Sequence, residues 1–376
     1  MSEATLRVGQ GRISGYISVV LGVISVLAVL AFRYPTWLTT AELRENYDVE
    51  TLRLVLMGCM VCSVVFGVLT FALNRRKRLG ALGVLLTALA YLLGGWGVEA
   101  GVVAETRMSI GVDWLVLDLL ASAILFIFIE KVIPRYPEQA VLRPEWQLDL
   151  FYFALNHVLI AFLIVIANGF APKAFFWAVS ETLQAQVAGL PLLVQVLLLA
   201  LCADFVLYWV HRAYHEIPIL WPFHAVHHCA EHMDWLAGSR THLLQTIVDR
   251  TLAMVPLYLL GASPEALNLY VVLAALQAVF THANVGIPLG PLKWVLVTPQ
   301  YHHWHHSSDR PAIDTNYAVH FPLFDRLFGT YHMPDQHWPI VYGTTKRLPR
   351  TFLGQLFHPF RKPAPAVEEA SDPETP

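Results

Sequence analysis

The stretch DFVLYWVHRAYH, residues 204–215, closes an apolar run over residues 190–210 with two histidines four positions apart. A helix needs about 20 apolar residues to cross a bilayer core of about 30 Å. The histidines therefore fall where such a helix would leave the membrane. Further apolar runs lie at roughly 15–32, 52–73, 80–97, 112–132, 148–167 and 251–281. The last is broken at GASPE and reads as two short helices forming a hairpin. Composition points the same way, with 56% hydrophobic and only 14% charged residues, where soluble domains carry about 25% charged. The expected fold class is all-α, a polytopic integral membrane protein with a histidine-rich helical site. A cleaved signal peptide is a poor reading of the first run, which is long for a signal core and has no small-residue cleavage site after it.

Loop charges set the expected orientation. Arg7 and Arg12 precede the first run, Arg75, Arg76, Lys77 and Arg78 follow the second, and Lys131 and Arg135 follow the fourth. The loops with Glu42, Glu45, Asp48 and Glu50, and with Glu99 and Glu105, are acidic. The positive-inside rule then puts both termini and every histidine cluster on the cytoplasmic side. Cys59 and Cys62 form a C-x-x-C inside an apolar helix, which reads as small packing residues and not as a redox pair. A net charge of −3, with no Gly-rich phosphate loop and no solenoid repeat, gives no reason to expect a nucleic-acid partner. The tail at 362–376, rich in Pro and acid, has almost nothing to bury and is expected to be disordered.

The histidines fall into three groups. His211 and His215 are spaced i, i+4; His224, His227 and His228 fall at i, i+3, i+4; His302, His305 and His306, in YHHWHH, repeat that second pattern. On a helix these spacings set imidazoles on one face, near enough to converge on a common centre. One such pair is most simply a solvated face, but eight histidines in three groups on one side of a membrane point to metal. A zinc ion takes three or four protein ligands, so eight imidazoles imply two metals. Imidazole suits iron, zinc, copper and nickel alike, and the type of ligand leaves the metal open. Arg212 follows His211 where the zinc-protease signature would have its Glu.

HRAYH, HAVHH and HHWHH, with the flanks DFVLYWVHRAYH, LWPFHAVHH, TPQYHHWHH and DTNYA…FDRLFGT, resemble the three histidine boxes of the fatty acid hydroxylase/sterol desaturase superfamily of membrane-bound non-haem di-iron oxygenases. The likeness covers about residues 145–345 and is strongest toward the alkylglycerol monooxygenase and sterol desaturase branches. It implies metal-ligand roles for His211, His215, His224, His227, His228, His302, His305 and His306, and for His282 in FTHAN, between the second and third boxes. It further implies two iron ions, with zinc possible in purified protein, O2, and an external reductant delivered by cytochrome b5, a ferredoxin and its reductase, or a pterin. The substrate implied is a membrane lipid such as a sterol, fatty acyl or alkylglycerol lipid, to be hydroxylated or desaturated. A membrane zinc hydrolase acting on a lipid is the alternative, and it leaves most of the imidazoles unexplained. The chain divides on this reading into an N-terminal four-span region over 1–135, a catalytic domain over 140–350 and the tail at 362–376.

Outside the boxes, Asp204 lies seven residues and two helical turns before His211, on the same face and about 10 Å away. A carboxylate at that depth is costly unless it is paired. It is expected to orient an imidazole by accepting its free N–H, with pairing to Tyr208 or Arg212 as the purely structural reading. The same orienting role extends more weakly to Asp314, Asn316 and Asp325, while Arg326, Gly329 and Thr330 serve local folding. His242 is read equally as a ligand or orienting donor and as a polar interfacial residue. His303 and His232 are off the ligand spacing, and His157 is a helix-packing donor. WPF at 221–223 and Trp235 are placed at the membrane interface, lining the path of a lipid.

Overall fold

A computed structural model of the chain describes residues 13–46, 48–75, 77–104, 109–287, 289–334 and 337–361. Arg7, Arg12, Arg76 and Glu105, whose charges entered the orientation, and the tail at 362–376 lie outside the described residues. The described residues form helices, turns and two isolated β-bridges, with no strand. The long helices are α1 (Ile13–Arg33), α2 (Val49–Leu73), α3 (Arg78–Leu92), α4 (Val112–Val132), α5 (Trp146–Phe175), α6 (Leu192–Glu216), α8 (Leu243–Leu260) and α9 (Pro264–His282). Among the shorter helices between and after them are α7 (Trp221–His228), α10 (Pro299–His305), α11 (Leu323–Phe328) and α12 (Phe352–Leu356). Among the described residues seven helices are long and apolar enough to cross a membrane, α3 together with the turn that continues it to Gly97, and the chain is a multi-pass membrane protein. Helix α5 covers the run at 148–167 but is not among the seven; the side chains of residues 160–168 are not described.

The chain divides into two compact units, one of residues up to 125 with 157–162, the other of 126–156 with 163 onward. In the first, α1, α2 and α3 pack through small residues. Ser18 Oγ donates to the Ser63 carbonyl at 2.8 Å, Ser63 Oγ returns a bond to the Ser18 carbonyl at 2.7 Å, and Thr87 Oγ1 donates to Ser63 Oγ at 2.7 Å. A Cβ on Gly83 would lie 2.0 Å from Ser18 Oγ, so this close approach requires glycine there. Small residues with interhelical hydrogen bonds are how helices associate where no hydrophobic force separates protein from solvent.

In the second unit α6 packs against α8 and α9 through Val196, Leu199, Ala203, Leu257, Ala266 and Tyr270. The break at GASPE is a true helix boundary: Gly261 ends α8 at φ 60°, and Ser263 caps α9 by accepting from Ala266 N at 3.2 Å, with Pro264 at the first helical position. The expectation of two short helices needs correction. Helix α8 begins at Leu243, well before the apolar run, and the two arms are 18 and 19 residues long, each sufficient to span. Polar residues in its first turns, Gln245, Thr246 and Asp249, hid the start of α8 because they face the protein and not lipid. Helix α6, the hairpin and the short helices α7 and α10 together bring all three histidine boxes to one end of this unit.

Candidate metal centre

Each box is positioned by ordinary helix chemistry. His211 and His215 occupy the last turns of α6, α7 carries Pro222 in its first turn, and α10 is capped by Thr298, whose side chain accepts from Tyr301 N, with Pro299 at the first helical position. Nine imidazoles come together in two groups: His211, His215, His224, His228 and His305; and His227, His282, His302 and His306, the ligand atoms within each lying within 4.8 Å of one another. The boxes do not converge on one centre. In both H-x2-H-H boxes the i, i+4 pair goes to one group and the i+3 histidine crosses to the other, so α7 and α10 each serve both groups. The groups meet where His228 and His306 stack, ring centroids 4.4 Å apart.

Hydrogen bonding fixes which nitrogen faces inward. Nδ1–H of His211 donates to the Tyr317 carbonyl at 2.7 Å, of His305 to Thr315 at 2.8 Å, of His227 to Arg240 at 3.0 Å and of His282 to Ala278 at 2.8 Å. Nδ1 of His224 lies 3.1 Å from Gln245 Oε1, and Nδ1 of His215 lies 3.1 Å from Asp314 Oδ1. A carbonyl oxygen only accepts, so these rings carry their proton on Nδ1 and turn a lone pair on Nε2 inward. Yet Nε2 of His211 and of His224 stand 2.9 Å apart, and Nε2 of His282 and of His227 stand 3.3 Å apart, while Nε2 of His215 and of His305 are buried with no partner. Facing lone pairs repel unless a cation lies among them, and outward Nδ1 bonds to carbonyls are how metal-bound histidines are oriented. Burial and neighbouring imidazoles hold His224, His228, His302, His305 and His306 well below the usual histidine range, and burial pushes His227 down to about 4. They are neutral near pH 7, the form that binds metal. The donor set fits two divalent transition metals.

The carboxylates expected to orient imidazoles divide. Asp314 reaches His215. Asp204 touches no imidazole: its oxygens accept Val319 N at 2.7 Å, His320 N at 3.1 Å and Phe321 N at 2.7 Å, so it anchors the loop that supplies the Tyr317 and Thr315 carbonyls. It pairs with neither Tyr208 nor Arg212; Arg212 instead bonds Glu216 at 2.7 Å. Asn316 likewise touches no imidazole. At φ 60° it donates to the Tyr301 and His332 carbonyls and accepts His332 N, which closes the loop on itself. Asp325 accepts Tyr317 N, Ala318 N, Thr330 Oγ1 and the Tyr301 hydroxyl. Arg326 stacks over Trp294 and Tyr331, and Gly329 ends α11 at φ 75°.

His242 is in neither group; its Nδ1 caps α8 by accepting Leu244 N at 3.2 Å and its Nε2 donates to the Leu356 carbonyl at 3.0 Å. His303 bonds Tyr342 and the His282 carbonyl. His157 bonds the Gly111 carbonyl at 3.0 Å, and His232 stands half-buried outside both groups. Trp235 is 7% exposed, its ring against Phe153 and its backbone N–H donating to Glu130, so it lines no path for lipid.

Sequence reasoning missed Gln245, which holds His224 and is itself held by Asp249, and a buried ionic cluster in which Arg240 pairs with Asp149 and Glu145 while Arg143 pairs with Asp149 and Asp234. Arg240 carries the carbonyl that fixes His227. Glu130 joins the same region by accepting Trp235 N at 2.7 Å and Asn284 N at 2.9 Å. For the ionic cluster the signal was charge in an apolar context, the same signal that singled out Asp204.

Comparison with known proteins agrees with the site. A family model described as fatty acid hydroxylase matches residues 196–330, which include all nine imidazoles. The chain is 37% identical over 173 residues to the ornithine lipid hydroxylase OlsE of Rhizobium tropici, covering 46% of this chain and 52% of that protein. It is 34% identical over 142 residues to human alkylglycerol monooxygenase, covering 38% of this chain and 31% of that protein. It is 29% identical over 171 residues to a very-long-chain aldehyde decarbonylase of Oryza sativa subsp. japonica, covering 41% of this chain and 26% of that protein. The chain thus spans about half the length of the first of these relatives and less of the others. No solved structure matches. The boxes, their flanks and the two imidazole groups all lie inside the matched segment, so residues 196–330 are similar to the fatty acid hydroxylase family over the same part of the chain that the histidine motifs single out.

Proposed function

We propose that this protein is an O2-dependent membrane lipid hydroxylase whose two irons are held by the five-histidine and four-histidine groups. The observation that carries the reading is the inward convergence of Nε2 lone pairs whose opposite nitrogens are tied to carbonyls. Two bound irons would supply O2 activation for attack on an unactivated C–H bond. The protein's own residues contribute the rest: buried, neutral imidazoles keep the centre cationic, the carbonyls hold them in register, and burial of the site excludes water. No carboxylate base or nucleophile stands among the ligands in either group, which disfavours a hydrolase.

The lipid substrate approaches from the bilayer, because His211, His215 and His282 sit at the ends of spanning helices whose flanks, such as Phe205 and Trp209 on α6, are exposed and apolar. The activities for which the relatives are named, on ornithine lipids and alkylglycerols, make a polar-headed lipid with a long chain the class to test first. Hydroxylation is the default outcome, with desaturation when a second hydrogen is removed. We place the catalytic domain at 140–350, the four-span region at 1–135, and the site and both termini on the cytoplasmic side. An electron donor of the cytochrome b5, ferredoxin or pterin type docks on that side.

Anaerobically purified protein should contain close to two irons per chain, and lipid extracts incubated with labelled O2 and a reductant should gain one labelled oxygen. Turnover without O2 in metallated protein would replace this reading with the zinc hydrolase. Orientation is tested separately: a cysteine at the exposed Thr345 should react with a membrane-impermeant thiol reagent only from the cytoplasmic face.

A further inference from the structure

The segment 350–361 has two unlike sides. One side is fixed to the second unit: Phe352 packs against Phe151 and Tyr152 with centroids 4.8 and 5.5 Å apart, Gln355 is 1% exposed and accepts from the Tyr152 hydroxyl at 2.9 Å, and a Cβ on Gly354 would lie 2.5 Å from Pro349. The other side presents Leu353, Phe357 and Phe360, exposed by 62%, 53% and 63%. Three large apolar side chains on one face of so short a segment are not scattered surface residues; they form a patch that something covers.

His242 fixes the height of this patch. It caps the first turn of α8 and holds the Leu356 carbonyl at 3.0 Å, so the segment lies level with the end of a spanning helix. Just beyond that cap, Leu244 and Val248 of α8 are exposed by 46% and 40%, the flank that such a helix turns to lipid. Phe360 continues the same level, 5.7 Å from Phe223 of the second box helix. Arg347 and Arg361, both exposed, flank the segment with a charge suited to anionic headgroups, while Arg350 is paired with Glu145 at 3.0 Å and Glu231 at 3.6 Å and ties the segment to the protein. The 15 residues that follow, 362–376, carry Val367 as their one large apolar side chain and are acidic, which makes them a poor cover.

We propose that residues 350–361 are an interfacial anchor, with Leu353, Phe357 and Phe360 inserted among the acyl chains of the bilayer and Arg347 and Arg361 at headgroup level. An apolar face with aromatic residues and a basic border is the composition that lies in the membrane interface. His242 serves this anchor and not the metals. The anchor sits over the helix that carries His224, His227 and His228, where a lipid would pass from bilayer to site.

The test places a benzophenone amino acid at position 353, 357 or 360 of the full chain in phosphatidylcholine–phosphatidylglycerol vesicles, with position 272 in α9, where Val272 is 51% exposed, as the lipid-facing control. Irradiation should attach one phospholipid to the chain at all three positions, as at 272. A cross-link to residues 362–376, a cross-linked dimer, or no lipid adduct while position 272 still gives one would overturn the proposal. The triple variant L353S/F357S/F360S should keep its metal content and lose about tenfold in turnover of lipid in vesicles while turnover in detergent stays within about twofold, the split that a lost interfacial contact predicts and a folding defect does not.

Discussion

The five-histidine and four-histidine groups draw on the same second and third boxes but are supported differently. Three members of the five-histidine group lean on one loop: the carbonyls of Tyr317 and Thr315 and the carboxylate of Asp314 orient His211, His305 and His215, while Gln245 of α8 holds His224. That loop is itself suspended from two buried carboxylates, Asp204 and Asp325, which between them take five backbone N–H groups. It reaches solvent at Asp314, whose side chain is 51% exposed. The four-histidine group is buried throughout, and its His282 and His227 are oriented by backbone alone, the Ala278 carbonyl within α9 and the Arg240 carbonyl. Arg240 is locked by Asp149 at one remove, and Glu130 ties the neighbouring loops. One site is therefore open to adjustment through side chains, while the other is set by the fold.

The largest effect separates the groups by their ligands. His305→Ala should cost the five-histidine group its metal, and His306→Ala the four-histidine group, each lowering activity by more than the roughly 10–100-fold expected of an orienting partner. Elemental analysis should find about half the wild-type metal in each. His157→Ala, in the first unit, should change neither metal nor activity. Equal and total metal loss in both variants would mean the two groups bind as one.

Acid should act on both groups before metal is added. In the unfolded chain these histidines titrate near 6.5, whereas His227 is pushed down to about 4 by burial, and His224, His228, His302, His305 and His306 are also lowered. Above pH 6.5 neither state binds protons there. Below it the unfolded state binds more, so stability is lost as pH falls from about 6.5 toward about 4, by up to about 1.4 kcal/mol per group and pH unit. The melting temperature of the metal-free protein should drop between pH 7.5 and 5.5; a flat profile would show that the imidazoles are not buried as described.

Much of this site was legible from spacing and much was not, for a physical reason. Spacing at i, i+3, i+4 showed that His224, His227 and His228 share a helix face, and the resemblance added His282. Spacing could not show that the i+3 histidine crosses to the other group, because that depends on where α10 sits against α7. Asp204 was legible as a buried charge, but its partners are main-chain N–H groups about 115 residues later, invisible to any side-chain pattern. The carbonyls of Tyr317, Thr315 and Arg240 carry no sequence signature at all. In the fold, apolar runs located the spanning helices, and the start of α8 was missed because its first turns turn polar side chains inward to the site.

Asp204→Asn sharpens the comparison by acting on one group through its loop. An amide cannot accept from three N–H groups on both of its heads, so a buried donor is left without a partner, at about 1–3 kcal/mol. The five-histidine group should lose metal affinity more than the four-histidine group, read as a faster chelator-driven loss of one metal of the two. Equal loss from both would mean that the loop supports the fold and not one site.

Gln245→Leu removes the acceptor for His224 Nδ1 and leaves the helix intact, since Leu is a good helix former. Metal affinity of the five-histidine group should fall by about 10–100-fold. No side-chain substitution can do the same to His227 or His282, whose acceptors are backbone carbonyls, so the four-histidine group should resist such a scan.

Asp314→Asn should have the smallest effect, and its size tests how open the first site is. Asp314 Oδ1 lies 3.1 Å from His215 Nδ1, and its φ of 57° is one that Asn adopts as readily, so the backbone should not change. Asn keeps an acceptor for the imidazole N–H and loses only the charge, which at a half-exposed position is screened by solvent. Metal content should stay near wild type and activity should fall by less than the roughly 10-fold lower bound for a buried orienting partner. Asp314→Ala removes the acceptor as well, and a larger drop there than in Asp314→Asn would assign the effect to the hydrogen bond. If the two variants are equally impaired, the charge itself matters at this position, and the five-histidine group is more sheltered from solvent than its loop suggests.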